Sequence, residues 1–313
     1  ARRGITTILT VIRRIVPAGP GIRHFTLEDP DCWELPPARP GAHIDLSLPG
    51  GLLRTYSLCN GPQHHTSYEI AVKREPAGRG GSALLHDSLA EGDTIGVSLP
   101  RGGLALPPAT RQIFVAGGIG VTPFLSAAAA LLHRGDRDFV LHVLARGAPP
   151  LARQLRPLLH QGLAVLHDTT AGRPDLASLI GPPRPNVRIS CCGPAGMLDA
   201  FERAAAGWPT DQLHLERFVP PPLVLDPAAK PYTLALAQSG RTLEVPAGMP
   251  MLDAIAQCGV DVPTSCGAST SGASKVRVLE GQVLHHDRFL SPAGRQHHLM
   301  ACVAGCAGGH LLL

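Results

Sequence analysis

The sequence holds no apolar run long enough to span a bilayer; the stretch Ala127–Leu132 is too short and charge soon follows it. It also lacks any block of like charge. Lys and Arg number 28 against 24 Asp and Glu, a net charge of +4 over 313 residues, and no polybasic run is interleaved with aromatics. Membrane and nucleic acid are therefore not expected partners. No signal-peptide pattern follows Ala1-Arg2-Arg3, so the cytoplasm is the expected compartment. Cysteines are few, eight in all, and the adjacent Cys191-Cys192 argues against a structural disulfide framework. The 35 glycines and 31 prolines fall without a period, which excludes a collagen-like repeat and indicates many turns.

What is present is a well-packed globular composition, 44% hydrophobic and 17% charged. The length exceeds what one hydrophobic core serves, so two or three domains are expected. From Gly4 to about Leu99, short alternating or β-branched runs follow one another: Ile5–Val16, Gly21–Leu27, Ala42–Leu48, Arg54–Asn60, Ser67–Arg74 and Thr94–Leu99. One helix-like stretch, Ser82–Leu89, interrupts them. This spacing predicts an antiparallel barrel or sandwich, and the β-barrel is the architecture assigned to residues 1–108. From Arg111 the period changes. Apolar runs at Ile113–Ala116, Phe139–Leu144, Ala164–His167 and Arg188–Cys192 alternate with helical stretches at Thr122–Leu132, Pro150–Leu159 and Ala195–Ala206, and Leu213–Phe218 closes the set. That alternation predicts a parallel α/β domain over 109–222. A proline-rich linker from Pro220 to Pro231 leads into a third domain, 223–313, with strands at Tyr232–Leu236 and Thr242–Val245 and a helix at Met251–Cys258.

Four motifs carry chemistry. Arg54-Thr55-Tyr56-Ser57-Leu58 alternates faces along a strand and can offer a cation, a flat ring and hydroxyls, as a flavin requires; an ordinary strand whose tyrosine caps the core is the plainer alternative. Gly78-Arg79-Gly80-Gly81-Ser82 precedes a helix, where close backbone approach and free amides suit an anion. Ser82 as a simple N-cap is the plainer reading, and both can hold at once. Ala116-Gly117-Gly118-Ile119-Gly120-Val121-Thr122-Pro123 joins an apolar strand to a helix, at the end of a parallel sheet where ligands bind, without the dinucleotide-fingerprint spacing. Cys191-Cys192-Gly193-Pro194 repeats the strand–turn–helix scheme; its cysteines either meet a nicotinamide or pack as small hydrophobes.

In this order and spacing the four motifs resemble the phthalate dioxygenase reductase family, which includes vanillate O-demethylase reductases and is a branch of the ferredoxin–NADP reductase superfamily. The resemblance extends to Ala71-Val72-Lys73-Arg74 and to His214-Leu215-Glu216-Arg217-Phe218. It implies FMN rather than FAD, lined by Arg54, Thr55, Tyr56 and Ser57, contacted by Val72 and Lys73, and held at its phosphate by Gly80, Gly81 and Ser82. Thr122 would touch the ring, and Phe218 would cover the face that the nicotinamide enters. Gly117, Gly118, Gly120, Pro123, Cys192, Gly193, Pro194 and Met197 would form the pyridine-nucleotide site, with Cys192, Phe218 and Ser57 at the reacting centre. NADH is expected over NADPH, because Asp168 after its strand would repel a 2′-phosphate, although Arg146 argues the opposite way.

The same resemblance implies a C-terminal β-grasp ferredoxin-like domain. Plant-type [2Fe–2S] loops space three cysteines as C-x4-C-x2-C with a distant fourth. Counted from Cys266, the next two positions are Ser271 and Ser274, and the fourth matches Cys302. A hydroxyl gives up its proton far less readily than a thiol of pKa about 8.5, so the ligand set is incomplete. The change reads either as a deliberate double substitution or as a natural degenerate domain. The pairs His64-His65, His285-His286 and His297-His298 are read as solvated surface, since neighbours on a strand face opposite ways. The expected function is the reductase component of an oxygenase system, moving electrons from NADH through FMN and, in the family, a cluster to a Rieske-type terminal oxygenase of an aromatic-ring hydroxylase or O-demethylase. The alternatives are a flavin-only NADH oxidoreductase and a docking module with a redox-dead ferredoxin domain. From Pro231 onward, five basic and five acidic residues cancel, so strong electrostatic steering of a partner is not indicated.

Overall fold

A computed structural model of the chain describes residues 7–78, 80–218, 230–260, 262, 274–287 and 290–313. The chain divides into two compact units, 1–218 and 219–313. Among the described residues, no helix is long and apolar enough to cross a membrane.

The first unit opens with β1 (Thr7–Gly19), β2 (Ile22–Glu28), β3 (Ala42–Leu48), β4 (Leu52–Ser57) and β5 (Ser67–Lys73). Then come α1 (Gly81–Asp87), β6 (Thr94–Ser98) and the two-residue β7 (Arg101–Gly102). The strands pair antiparallel in the order β4-β3-β6-β1-β2-β5, β7 adds to β3, and a bridge from Leu58 to Ile70 brings the two ends together. Alternation explains the closure: Ile44, Leu46 and Leu48 of β3 point inward to Phe25, Leu27, Ile70 and Val97, while Asp45 and Ser47 face away.

The unit continues with β8 (Arg111–Gly117), α2 (Thr122–His133), β9 (Phe139–Ala145), α3 (Ala152–His160) and β10 (Ala164–Asp168). It ends with α4 (Leu176–Ile180), β11 (Val187–Cys192), α5 (Ala195–Ala204) and β12 (Leu213–Glu216). These five strands form a parallel sheet in the order β10-β9-β8-β11-β12. Central strands buried on both faces read as unbroken apolar runs, as in Ile113-Phe114-Val115-Ala116. Phe114 stacks on Phe124 of α2 at 5.0 Å between ring centres. One apolar cluster runs from these residues into Ile22, Cys59, Ala71 and Leu104 of the barrel. Backbone bonds join the halves too: the Leu151 amide donates to the Ala18 carbonyl at 2.7 Å. The expected boundary at 108/109 thus falls between β7 and β8, inside one compact unit.

The second unit holds β13 (Tyr232–Leu236), β14 (Arg241–Val245), α6 (Met251–Gln257), β15 (Lys275–Arg277) and β16 (Glu280–Leu284). It closes with α7 (Pro292–Arg295), β17 (His298–Met300) and β18 (Gly305–Leu312). A mixed sheet runs β14-β13-β18-β16, with β13 and β18 parallel, and β15 pairs with β17 apart from it. Leu234, Val245, Met251, Ile255 and Leu311 fill the core between α6 and the sheet. The expected boundary at 222/223 lies outside the described residues.

Candidate active site

The candidate site gathers where the barrel meets the carboxyl ends of the parallel strands. Two residues 159 apart in sequence join there: the Ser57 hydroxyl, last on β4, donates to Glu216 Oε1, last on β12, at 2.8 Å. Glu216 pairs in register with Cys192 on β11, so the three side chains belong to one neighbourhood. Burial pushes the Glu216 carboxyl up from its ordinary 4.5 to about 7, against the opposing pull of the Ser57 hydrogen bond. The Cys192 thiol is fully buried within the cluster that spans both halves. Burial, then the nearby Glu216 carboxylate, hold it well above the usual thiol range, which keeps it neutral and unreactive. Cys192 is thus a buried thiol beside Glu216, at the turn into Gly193-Pro194. Phe218, two residues past Glu216, is 40% exposed.

Around this point β4 presents its two faces separately. Arg54 and Tyr56 lie opposite Leu46 and Ile44, on the barrel-core side. Burial pushes the Tyr56 phenol up to about 12, with Arg54 pulling the other way, so it stays protonated. Thr55 faces away, and its hydroxyl donates to the buried Asp45 at 2.6 Å. Arg54 runs over the first turn of α1: a Cβ added at Gly81 would meet Arg54 Cγ at 2.5 Å. Gly80 caps that helix at φ +82, in the left-handed region that glycine enters without strain. The N-cap is thus Gly80 and not Ser82, a correction to the simple-cap reading; Ser82 sits in the first turn and its hydroxyl accepts from the Glu75 amide at 3.0 Å. Val72 is buried in the barrel core, and its carbonyl meets His86 Nε2 at 2.8 Å. Lys73 is exposed and pairs with Glu75 at 3.4 Å.

The two glycine turns of the parallel sheet pack against each other. A Cβ on Gly120 would overlap the Cys192 carbonyl, and one on Gly117 would meet Met197 Sδ at 2.5 Å and Pro194 Cδ at 2.8 Å. Gly193 comes within 3.1 Å of Gly117 Cα on the same test. Close approach of backbone to backbone demands these glycines before any ligand does. Gly118, at φ +55 and with open space beside it, is the member of the turn that faces no neighbour. Thr122 and Pro123, buried, start α2, and the Thr122 hydroxyl donates to the Ile119 carbonyl at 3.1 Å. Pro194 caps α5. At the end of β10, the Asp168 carboxylate accepts from the Thr170 hydroxyl, from the Thr170 amide at 2.9 Å and from the Gly147 amide at 3.3 Å, bonds that hold it below the usual range.

In the second unit, Cys266 and Ser271 lie outside the described residues. Ser274 is 2% exposed and its hydroxyl donates to Cys302 Sγ at 2.9 Å.

A family model described as a 2Fe-2S iron-sulfur cluster binding domain matches residues 234–306. Phthalate dioxygenase reductase of Burkholderia cepacia is 35% identical, over 92% of this chain and 91% of its own. A solved structure of phthalate dioxygenase reductase, titled as a modular structure for electron transfer from pyridine nucleotides to [2Fe-2S], superposes with a TM-score of 0.73 at 32% identity over 98% of both chains. The chain belongs to the phthalate dioxygenase reductase family. The heme-dependent oxidative N-demethylase beta subunit of Ectopseudomonas mendocina is 37% identical over 99% of each chain.

The reductase is accordingly a flavin-type oxidoreductase component of an oxygenase system, delivering electrons to a terminal oxygenase. Its first unit fits a flavin: the space above Gly81 is taken by Arg54, which sets a guanidinium beside the open first turn of α1. Its second unit does not fit a four-thiolate cluster. The positions counted from Cys266 carry two thiols and two hydroxyls, and the two that are described are bonded to each other. Glu216 is among the residues that motif reading quoted without a role. Only its distant hydroxyl partner reveals it.

Proposed function

We propose that the reductase oxidises NADH at the junction of barrel and parallel sheet and binds FMN there as its flavin. The observation that carries this reading is the Ser57–Glu216 hydrogen bond, which ties the flavin-lining strand β4 to the sheet edge beside Cys192. FMN supplies an acceptor that takes two electrons together and releases them singly. Arg54 and the first-turn amides of α1, with Gly80, Gly81 and Ser82, would neutralise its phosphate. Tyr56, kept protonated, offers an apolar face, and Thr55 acts from the far side of the strand by fixing β4 to Asp45.

The nucleotide enters over the turns at Gly117–Gly120 and Cys192–Pro194, with Met197 beneath them and the exposed Phe218 as the side chain it displaces. A neutral Cys192 adds no charge beside a departing hydride. Glu216, poised near neutrality, holds or releases a proton with little free-energy change while its Oε1 accepts from the Ser57 hydroxyl. Asp168, charged and already anchored, favours a ribose hydroxyl over a 2′-phosphate and so NADH over NADPH. The terminal oxygenase is of the Rieske type in this reading, acting on an aromatic substrate. The N-demethylase relative, matched end to end, favours a second one in which the acceptor is a haem protein.

Anaerobic stopped flow tests the proposal. NADH should bleach bound FMN, and Cys192→Ala should slow that step while FMN stays bound. An unchanged rate reduces Cys192 to packing; loss of FMN binding by the unmodified chain refutes the site.

A further inference from the structure

The second unit differs from its family where the cluster would sit. Ser274 leads β15, whose Lys275 pairs with Met300 of β17. Its carbonyl accepts from the Ala301 amide at 2.9 Å, and its hydroxyl donates to Cys302 Sγ at the same distance. Cys302 packs with Leu290, Met300, Val303 and Leu252. Two of the four counted positions are thus hydrogen-bonded to one another beside apolar side chains. Two donors on one tetrahedral metal, with bonds of about 2.0–2.3 Å, would stand roughly 3.5 Å apart. To ligate iron, the Ser274 hydroxyl would have to leave Cys302, move outward and lose a proton. The resulting alkoxide would be a harder donor than iron–sulfur assembly uses, in a site nearly sealed from water. Ser271 brings a second hydroxyl to the set.

The remaining thiols are engaged elsewhere. Cys258 ends α6 in the main core, and Cys306 on β18 donates to the Gly308 carbonyl at 2.6 Å. The core of the unit meanwhile rests on Leu234, Val245, Met251, Ile255 and Leu311, which need no metal to pack.

We propose that this unit stands without a [2Fe–2S] cluster, that Ser271 and Ser274 keep it out, and that reducing equivalents leave the reductase from its flavin. The electron balance closes with one-electron oxidants. Hydride from NADH carries two electrons to the flavin, one solvent proton completes its reduction, and two ferricyanide ions remove the electrons while both protons return to water. The exit route rests on the nicotinamide–flavin reading above; the iron content does not.

The test takes the full-length protein through anaerobic reconstitution with ferrous iron and sulfide. Iron, acid-labile sulfide and the reduced-state EPR signal should remain at trace levels, while NADH-driven ferricyanide reduction proceeds. The double variant Ser271→Cys/Ser274→Cys should take up two irons per chain and gain the signal. A stoichiometric cluster in the unmodified protein overturns the proposal, and so does a double variant that stays iron-free. Failure of ferricyanide turnover with flavin bound would sink the exit route and the NADH reading together, leaving the iron result standing on its own.

Discussion

Glu216 offers the sharpest quantitative test. Its carboxyl rises from 4.5 to about 7 because folding partly withdraws it from water, which corresponds to at most about 3 kcal/mol in favour of the acid form. Below pH 4.5 it is protonated in both folded and unfolded chains. As pH rises through about 7, the folded state must ionise a desolvated group that the unfolded chain ionises freely. Stability should fall across that window by up to about 3 kcal/mol. Glu216→Gln keeps the shape and an acceptor for Ser57 but cannot ionise. Relative to the unmodified protein it should be near neutral at pH 4.5 and more stable at pH 8. At about 2–4 °C per kcal/mol for a unit of this size, the midpoint of thermal unfolding should shift by several degrees between those limits. Ser57→Ala removes the bond that lowers the carboxyl, so the window should extend to higher pH. A variant-minus-parent difference that is the same at both pH values would refute the reasoning, since packing changes alone do not follow this titration.

Arg54→Ala should reduce flavin affinity by about 1.5–3 kcal/mol, roughly ten- to a hundred-fold, with the circular dichroism unchanged; undiminished retention on gel filtration removes Arg54 from the phosphate site. Gly120→Ala should destabilise the first unit by about 1–3 kcal/mol or more, because the obstacle is the Cys192 carbonyl and not a mobile side chain, and a wild-type melting curve would contradict the packing. The kcat/KM for NADH should exceed that for NADPH, and Asp168→Asn should narrow the ratio; equal efficiency in the unmodified protein contradicts the role given to Asp168.

Where a strand alternates cleanly, its limits were legible: Ala42–Leu48 and Tyr232–Leu236 occur as read. β18 escaped notice because Gly305, Gly308 and Gly309 erase its pattern, and its partners β13 and β16 are supplied by distant chain. The short α4 was hidden in the same way, since Asp175 at its cap announces a helix only once its carboxylate is seen to accept from Ser178 at 3.1 Å. At the site, the motif residues were visible because glycine, arginine and tyrosine types carry their chemistry locally. What pairs them is not local. Ser57 finds Glu216, and Gly117 finds Gly193, only through sheet order. Gly117, Gly120 and Gly193, assigned to a ligand, also answer to the close packing of the two turns against each other.

The apolar cluster shared by the barrel and the parallel sheet bears on how such a gene can be recombined. A crossover between the codons for residues 108 and 109 would part Phe114 and Phe124 from Ile22, Cys59, Ala71 and Leu104, and each foreign half would meet a surface shaped for another partner. Chimeras joined there should inherit a core that must be repaired at several positions at once. A crossover after Phe218 leaves that cluster whole. A join after Phe218 should therefore disturb the first unit less than one at 108/109, a difference that the melting curves of the two chimeras would show.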